Sequence, residues 1–153
     1  MKMGFWDDMK NKAGVLSDGL KTKVDQFKNA EFAAAAMATC AMVAAADGTI
    51  DAAERKKVAG FIMSSDLLKS FDVADLQSKF NYYCDKLQAD YDFGKIEAIQ
   101  VVGKLKKKPD QARAVLQVGI VIGGSDGKFD ATEKAAVREL CYALAIDPAE
   151  LGV

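Results

Sequence analysis

One eight-residue pattern occurs twice in this chain and constrains its fold more than any other feature. Residues 47–54 and 126–133 both read D-G-x-[I/F]-D-x-x-E, and their first aspartates, Asp47 and Asp126, lie 79 positions apart. An apolar segment ending in small residues precedes each copy, and apolar residues at helical spacing follow it. The sequence therefore predicts a duplicated helix-turn-helix, around residues 31–64 and 109–145, packed as a pseudo-symmetric pair.

The rest of the chain favours helices as strongly. It has only two prolines, Pro109 and Pro148, and long stretches rich in Ala, Leu, Lys and Glu, which are strong helix formers. No segment shows the alternation of a strand. We therefore predict one all-α domain over residues 1–153, with about seven helices. The side chains predicted to face its core are Phe32, Cys40, Val43, Val58, Phe61, Ile62, Leu76, Phe80, Tyr83, Cys84, Leu87, Ile96, Ile99, Val102, Leu105, Val115, Val118, Gly119, Ile122, Val137, Leu140, Cys141 and Leu144.

Residues 1–28 form a predicted amphipathic helix with one apolar stripe, which Gly14 or Gly19 would divide. We favour docking of this stripe on the domain's own core, and the alternative is that Phe5 and Trp6 touch a membrane interface. No apolar run reaches the length of a spanning helix, and the first ten residues do not resemble a secretory signal. The expected location is the cytoplasm, with peripheral association at the inner face of the membrane as the alternative.

The composition argues against a conventional enzyme. The chain contains no histidine, so the commonest general base and the imidazole metal ligand are both missing. A net charge of −1 gives no overall electrostatic case for nucleic-acid binding. Cys40, Cys84 and Cys141 are widely spaced within apolar patterns, as buried thiols would be. No organic cofactor is expected, and a metal site would have to use oxygen ligands, which suit Ca²⁺, Mn²⁺ or Mg²⁺.

The acids of the repeat have a local interpretation as helix caps. A glycine ends one helix, the apolar residue acts as a plug, and D-x-x-E forms a capping box for the next helix. Asp51, Glu54, Asp130 and Glu133 would then need no ligand. The first aspartate of each copy remains less well explained, because a carboxylate at the C-terminus of a helix opposes the helix dipole.

A second interpretation treats each copy as a calcium-binding EF-hand loop. With Glu54 as the last ligand, the first and third ligand positions fall on Val43 and Ala45, which cannot ligate. The second copy places Ile122 and Gly124 at the same positions. An independent EF-hand is therefore not expected in either copy.

A third interpretation joins the two copies. If the turns face each other, their six carboxylates form one cluster whose mutual repulsion favours a hard divalent cation or a basic partner. The sequence leaves capping alone and capping combined with such a cluster equally open. The candidate metal ligands are Asp47, Asp51, Glu54, Asp126, Asp130 and Glu133.

Short stretches spread along nearly the whole chain resemble the tellurite-resistance protein TerB family. Single pieces such as D-G are weak signals, but their order and spacing are specific. The stretches are 27–32, 46–48 with Glu54, 60–61 with 64–65, Lys69 with 71–72, 118–120, 125–130 and 145–152.

This resemblance implies an all-helical fold, an acidic cluster that binds a divalent metal, and no established catalytic activity. It also implies partners among other tellurite-resistance proteins, including membrane and calcium-binding proteins. The function predicted from it is that of a non-enzymatic accessory or scaffold protein for tellurite and stress resistance. Asp51 and Asp130 are the least secure ligands, because capping alone explains them.

Two alternatives belong to other functional classes. A structural adaptor would use the acids as caps and as a docking face for a basic or membrane-associated partner, without metal. A carboxylate-based metallohydrolase is a distant third, because no positioned nucleophile accompanies the acids. The basic run Lys104–Lys108 precedes Pro109 at a predicted helix end, where cations suit the dipole, so we favour a solvated helix end over a membrane patch.

Overall fold

The computed structural model describes residues 19–123 and 129–153. Within these ranges the chain forms seven α-helices and no strand, which confirms the predicted all-α fold. The first helix, α1, comprises residues 19–26 in the described part. The others are α2 (Ala30–Ala44), α3 (Ala52–Ser64), α4 (Val73–Ala89), α5 (Tyr91–Gly103), α6 (Pro109–Gly123) and α7 (Ala131–Ala143), with 3₁₀ turns at Asp66–Leu68, Lys104–Lys107 and Pro148–Leu151.

Helix α2 is the centre of the fold and contacts α3, α4, α5, α6 and α7. It is buried almost all round, and five of its eleven buried residues are alanines. These small side chains let neighbouring helices approach closely. The most extensive contact is with α6, so the first helices of the two repeats pack against each other. Gly119 of α6 lies so close to Thr39 that a methyl group added at this glycine would collide with the threonine methyl.

The predicted core is confirmed on α4, α6 and α7, where every residue of the predicted stripe is buried. On α5 the prediction is wrong at Ile96, whose side chain is 53% exposed. The inward face of α5 carries Gly94 and Ala98 as well as Val102. A Cβ at Gly94 would lie 2.7 Å from the backbone nitrogen of Leu87. Because α5 approaches the backbone of α4 this closely, small residues occupy the contact and the isoleucine is turned outward.

The second helices of the two repeats are buried to different extents. In α3 only Ile62 is fully buried, while the predicted core residues Val58 and Phe61 are partly buried. In α7 four residues are buried, including Val137 and Leu140. Helix α3 is therefore a peripheral helix, whereas α7 is part of the core.

The described part of the N-terminal segment packs on the domain. Leu20 and Val24 are buried, which confirms the predicted docking for these two residues. Phe5 and Trp6, for which a membrane contact was considered, lie outside the described residues. Among the described residues, no helix combines the length and apolar character needed to cross a membrane.

Candidate acidic site between the two repeats

The first acidic turn connects α2 to α3. Asp47 accepts hydrogen bonds from the backbone nitrogen of Thr49 at 3.0 Å and from its hydroxyl at 3.1 Å. Gly48 has a φ of +93°, a conformation that favours glycine. Ile50 is buried beneath the turn, as the plug interpretation predicts. The aspartate that sequence reasoning left unexplained therefore has a local role in closing this turn.

Asp51 is the N-cap of α3. Its carboxylate accepts a hydrogen bond from the backbone nitrogen of Glu54 at 2.7 Å. The backbone of Asp51 itself is extended, as an N-cap requires. The capping interpretation is therefore confirmed for Asp51.

The second copy forms the same cap more completely. Asp130 accepts from the backbone nitrogen of Glu133 at 2.9 Å, and Glu133 accepts from the backbone nitrogen of Asp130 at 3.1 Å. The hydroxyl of Thr132 donates to Asp130 at 2.6 Å, and these hydrogen bonds lower the pKa of the Asp130 carboxyl. Phe129 is buried as the counterpart of Ile50. Asp126, a predicted ligand, lies outside the described residues.

Acids from both copies line one cavity of about 80 Å³. Its volume is well below the roughly 300–1,000 Å³ of sites for organic ligands, so it suits an ion with a few waters. The described acids of the two copies therefore meet in space, as the joint interpretation requires. The cavity is lined by Val43, Ala44, Ala46, Asp47, Glu54, Lys57, Val58, Gly123, Asp130, Thr132 and Glu133.

The described side chains line this cavity without forming a complete metal site. Among residues 19–123 and 129–153, no group of three or more acidic or cysteine side chains is arranged to hold a metal ion. Asp51 is not part of the lining, so it is separated from the four predicted ligands that are. Asp47 and Asp130 already accept hydrogen bonds within their own turns. The described carboxylates thus fit a hydrated cation better than a fully dehydrated one.

Sequence reasoning missed one charged residue of the cavity, Lys57. It lies three residues after Glu54, so helical spacing puts both side chains on the same face of α3. A positive charge beside four carboxylates reduces their mutual repulsion. The i, i+3 spacing was the available signal, but nothing in the repeat pattern itself marks this lysine.

The cysteines are part of the core. Cys40, Cys84 and Cys141 are all buried free thiols, as predicted. Burial raises the pKa of Cys40 and Cys84 to about 12 and that of Cys141 to about 11. The thiolate form is therefore scarce at neutral pH, which disfavours both redox reactivity and metal binding by these residues.

The described residues define an all-helical domain in which acids from both copies of a repeated motif line one small cavity. The family model described as "Tellurite resistance protein TerB" matches residues 33–152. A protein of Alcaligenes sp named "Tellurium resistance protein TerB" is 35% identical over 123 residues, covering 78% of this chain and 98% of that relative. No solved structure matches the chain. The chain belongs to the TerB family of tellurite-resistance proteins, which confirms the resemblance found in its sequence.

Proposed function

We propose that this protein is a non-enzymatic accessory protein of tellurite resistance that binds a divalent cation between its two repeats. The observation that supports this proposal is the cavity shared by Asp47 and Glu54 of the first copy and Asp130 and Glu133 of the second. Carboxylate oxygens are the ligands that Ca²⁺, Mn²⁺ and Mg²⁺ prefer. The cation would add to the positive charge of Lys57 in offsetting the repulsion between these acids, and it would contact both repeats.

The proposed cation keeps part of its water shell. The described carboxylates surround a space that accommodates water molecules, and two of them also serve their own turns. Asp126 is a further ligand in this proposal, on the basis of the sequence repeat alone. Asp51 is left out of the ligand set, because its carboxylate caps α3 outside the cavity lining.

A basic partner is the second candidate for the acidic cavity. Its support is that no three described acids are arranged around a common metal position. Lysine or arginine side chains of a partner tolerate less regular acceptor geometry than a metal ion does. In this alternative the protein is a cytoplasmic adaptor whose acidic face docks another tellurite-resistance protein or a basic segment of a membrane-associated protein.

Isothermal titration calorimetry with calcium chloride and manganese chloride tests the proposal. We expect one cation per chain, with a dissociation constant in the micromolar to millimolar range typical of sparse oxygen sites (roughly 10⁻⁶ to 10⁻³ M). Glu54→Gln and Glu133→Gln each remove one charge with little change in shape, so each should weaken binding by about 10-fold or more.

The matched control is Glu97→Gln, a change of the same type at a glutamate outside the cavity lining. It should leave cation binding unchanged. Absence of binding in the unsubstituted protein at millimolar metal would reject the cation proposal. Retained binding of a lysine-rich peptide in chelator would then favour the adaptor.

A further inference from the structure

Arg55, in the first turn of α3, is held by side chains along one face of α4. Its guanidinium donates to the side-chain oxygen of Gln88 at 2.8 Å and to the carbonyl and side-chain oxygens of Asn81 at 3.2 and 3.1 Å. It also forms an ion pair with Asp85 at 2.8 Å. We call Arg55, Asn81, Asp85 and Gln88 the Arg55 network. One planar fork thereby contacts successive turns of α4, which a lysine ammonium cannot reproduce.

The network extends to the first acidic turn. The amide nitrogen of Gln88 donates to the backbone carbonyl of Ile50 at 2.9 Å. Ile50 directly precedes Asp51, the N-cap of α3. Gln88 therefore contacts both the turn and, through Arg55, the helix that follows it.

Within α3 itself, full burial is confined to the C-terminal half, while Ile50 in the preceding turn is also buried. Ile62, the one fully buried residue of α3, lies in the C-terminal half, and the first six residues, 52–57, include no buried side chain. The side chain of Arg55 is only 22% exposed, so most of it is covered by neighbouring residues. Polar contacts are therefore the main attachment of the N-terminal half of α3 to α4.

We propose that Arg55 is a positioning residue, and that the Arg55 network controls a local opening of α3 together with the first acidic turn. When the network is intact, α3 and residues 47–51 stay docked on α4. When it is broken, this unit separates and exposes Ile50 and Ile62, while the more extensively buried core around α2, α6 and α7 remains folded.

This opening changes the acidic cavity. The same unit supplies Asp47 and Glu54, whereas Asp130 and Glu133 belong to the second copy. Docking of α3 thus brings the two pairs of acids together. A cation that contacts both pairs stabilises the docked state, and a weakened network lowers the apparent cation affinity in proportion to the fraction of molecules that stay docked. This step alone rests on the proposed cation-binding function.

Amide hydrogen exchange on the full chain, first in chelator, tests the inference. Arg55→Met keeps a long side chain and removes every hydrogen bond of the guanidinium. We expect exchange in α3 to become about 10- to 100-fold faster, from the loss of charge-assisted hydrogen bonds, while exchange in α7 stays unchanged. Lys56→Met, the same change of charge at the neighbouring exposed position, should alter neither helix.

Gln88→Glu distinguishes the contact of Gln88 with Arg55 from its contact with the backbone of Ile50. Glutamate still accepts from Arg55, but it cannot donate to the carbonyl of Ile50. Amide exchange should become faster in residues 47–51 and change little in α3. If Arg55→Met prevents folding, Arg55→Lys takes its place, with a smaller increase in the same amides.

Two results would overturn the inference. One is unchanged exchange in α3 when Arg55 is replaced, and the other is an equal increase in all helices, which would show that α3 opens only with global unfolding. Added calcium chloride should slow exchange in α3 by a similar factor in the unsubstituted protein and in Arg55→Met, because the docked state binds the cation in both. If calcium changes no amide while the metal-free results hold, the cation proposal fails and the positioning role of Arg55 stands.

Discussion

Helices α3 and α7 follow the same eight-residue pattern, yet they are held in the molecule in different ways. Helix α7 buries Ala136, Val137, Leu140 and Cys141. Helix α3 fully buries only Ile62 and attaches its first turn through the Arg55 network. In the second copy, position 134, the counterpart of Arg55, is a lysine.

This difference shows what the repeated pattern determines. In both copies it produces a buried plug residue and an aspartate N-cap, because those features depend on backbone geometry within a few residues. It does not determine how deeply the following helix is buried. That depends on the position of the helix relative to α2 and on residues far away in sequence, such as Gln88.

The largest expected contrast comes from truncating equivalent apolar residues. Leu140 is fully buried in α7, and its counterpart Phe61 is partly buried in α3. Leu140→Ala should lower the free energy of unfolding by about 2–4 kcal/mol. Phe61→Ala should lower it by about 1–2 kcal/mol, although it removes more atoms. Urea unfolding measures both, and an equal or larger cost for Phe61→Ala would contradict the peripheral placement of α3.

Alanine substitution at two helical glycines gives the next largest contrast, with opposite signs. Gly119→Ala forces a methyl group against Thr39 at the contact between α2 and α6, at a cost of about 1–3 kcal/mol. Gly60 lies in α3 with open space around its Cβ position. Gly60→Ala should therefore stabilise the protein by about 0.5–1 kcal/mol through helix propensity. A destabilising Gly60→Ala in thermal unfolding would mean that α3 is packed more closely than described.

The two N-caps differ by a smaller amount. Asp130→Ala removes the centre of a complete capping box and should cost about 1 kcal/mol. Asp51→Ala should cost slightly less, about 0.5–1 kcal/mol, because α3 contributes less to the folded core. Chemical unfolding at pH 7 compares them, and a larger cost for Asp51→Ala would reverse the ranking of the two copies.

The hydrogen-bonded Asp130 cap of α7 should also make the free energy of unfolding depend on pH. Its hydrogen bonds hold the pKa of Asp130 in the folded protein below the ordinary value of an aspartate, so the folded protein binds fewer protons at this site than the unfolded chain. Its contribution to stability is present above that value and is lost as the pH falls through the folded pKa. Asp130→Asn should therefore reduce the loss of stability below about pH 4. An unchanged acid-unfolding curve would show that the cap is not charge-dependent.

The smallest predicted effect is a gain of stability at the end of α7. Ala145 has a φ of 56°, and the backbone nitrogen of Ile146 donates to the carbonyl of Cys141 at 2.9 Å, as in a Schellman motif. Glycine adopts this conformation without strain, so Ala145→Gly should stabilise the protein by about 0.5–1 kcal/mol. Gly48→Ala, at the first acidic turn, should have the opposite sign. A loss of stability in Ala145→Gly by calorimetry would contradict this account of the helix end.

Sequence patterns predicted the features that depend on local spacing. All five residues of the predicted α4 stripe are buried, and Asp51 and Asp130 cap helices as the repeat predicts. The stripe of α5 failed at Ile96, because periodicity ranks large apolar residues first. Whether a helix instead presents Gly94 and Ala98 depends on how closely its neighbour approaches, and the sequence of the helix does not contain that distance.

The candidate site, too, was predictable from the sequence only where it depends on local spacing. The repeat left capping alone and a shared cluster equally open, and in the structure Asp47, Glu54, Asp130 and Glu133 do line one cavity. The sequence marked Asp51 and Asp130 as the least secure ligands because of their capping role, and of these two only Asp51 lies outside the cavity lining. It gave no indication of the Arg55 network, since Arg55 and Gln88 are 33 residues apart and neither belongs to a shared pattern.

Paramagnetic broadening of amide resonances by manganese chloride tests the shared cation site most directly. If one cation lies between the two repeats, amides around Asp47 and Glu54 should broaden together with those around Asp130 and Glu133, at the same midpoint. The amides of α4 near Asp75, a surface acid outside the cavity lining, should stay sharp at that concentration. Broadening of one turn without the other, or of exposed acids throughout the surface, would contradict a single site formed by both repeats.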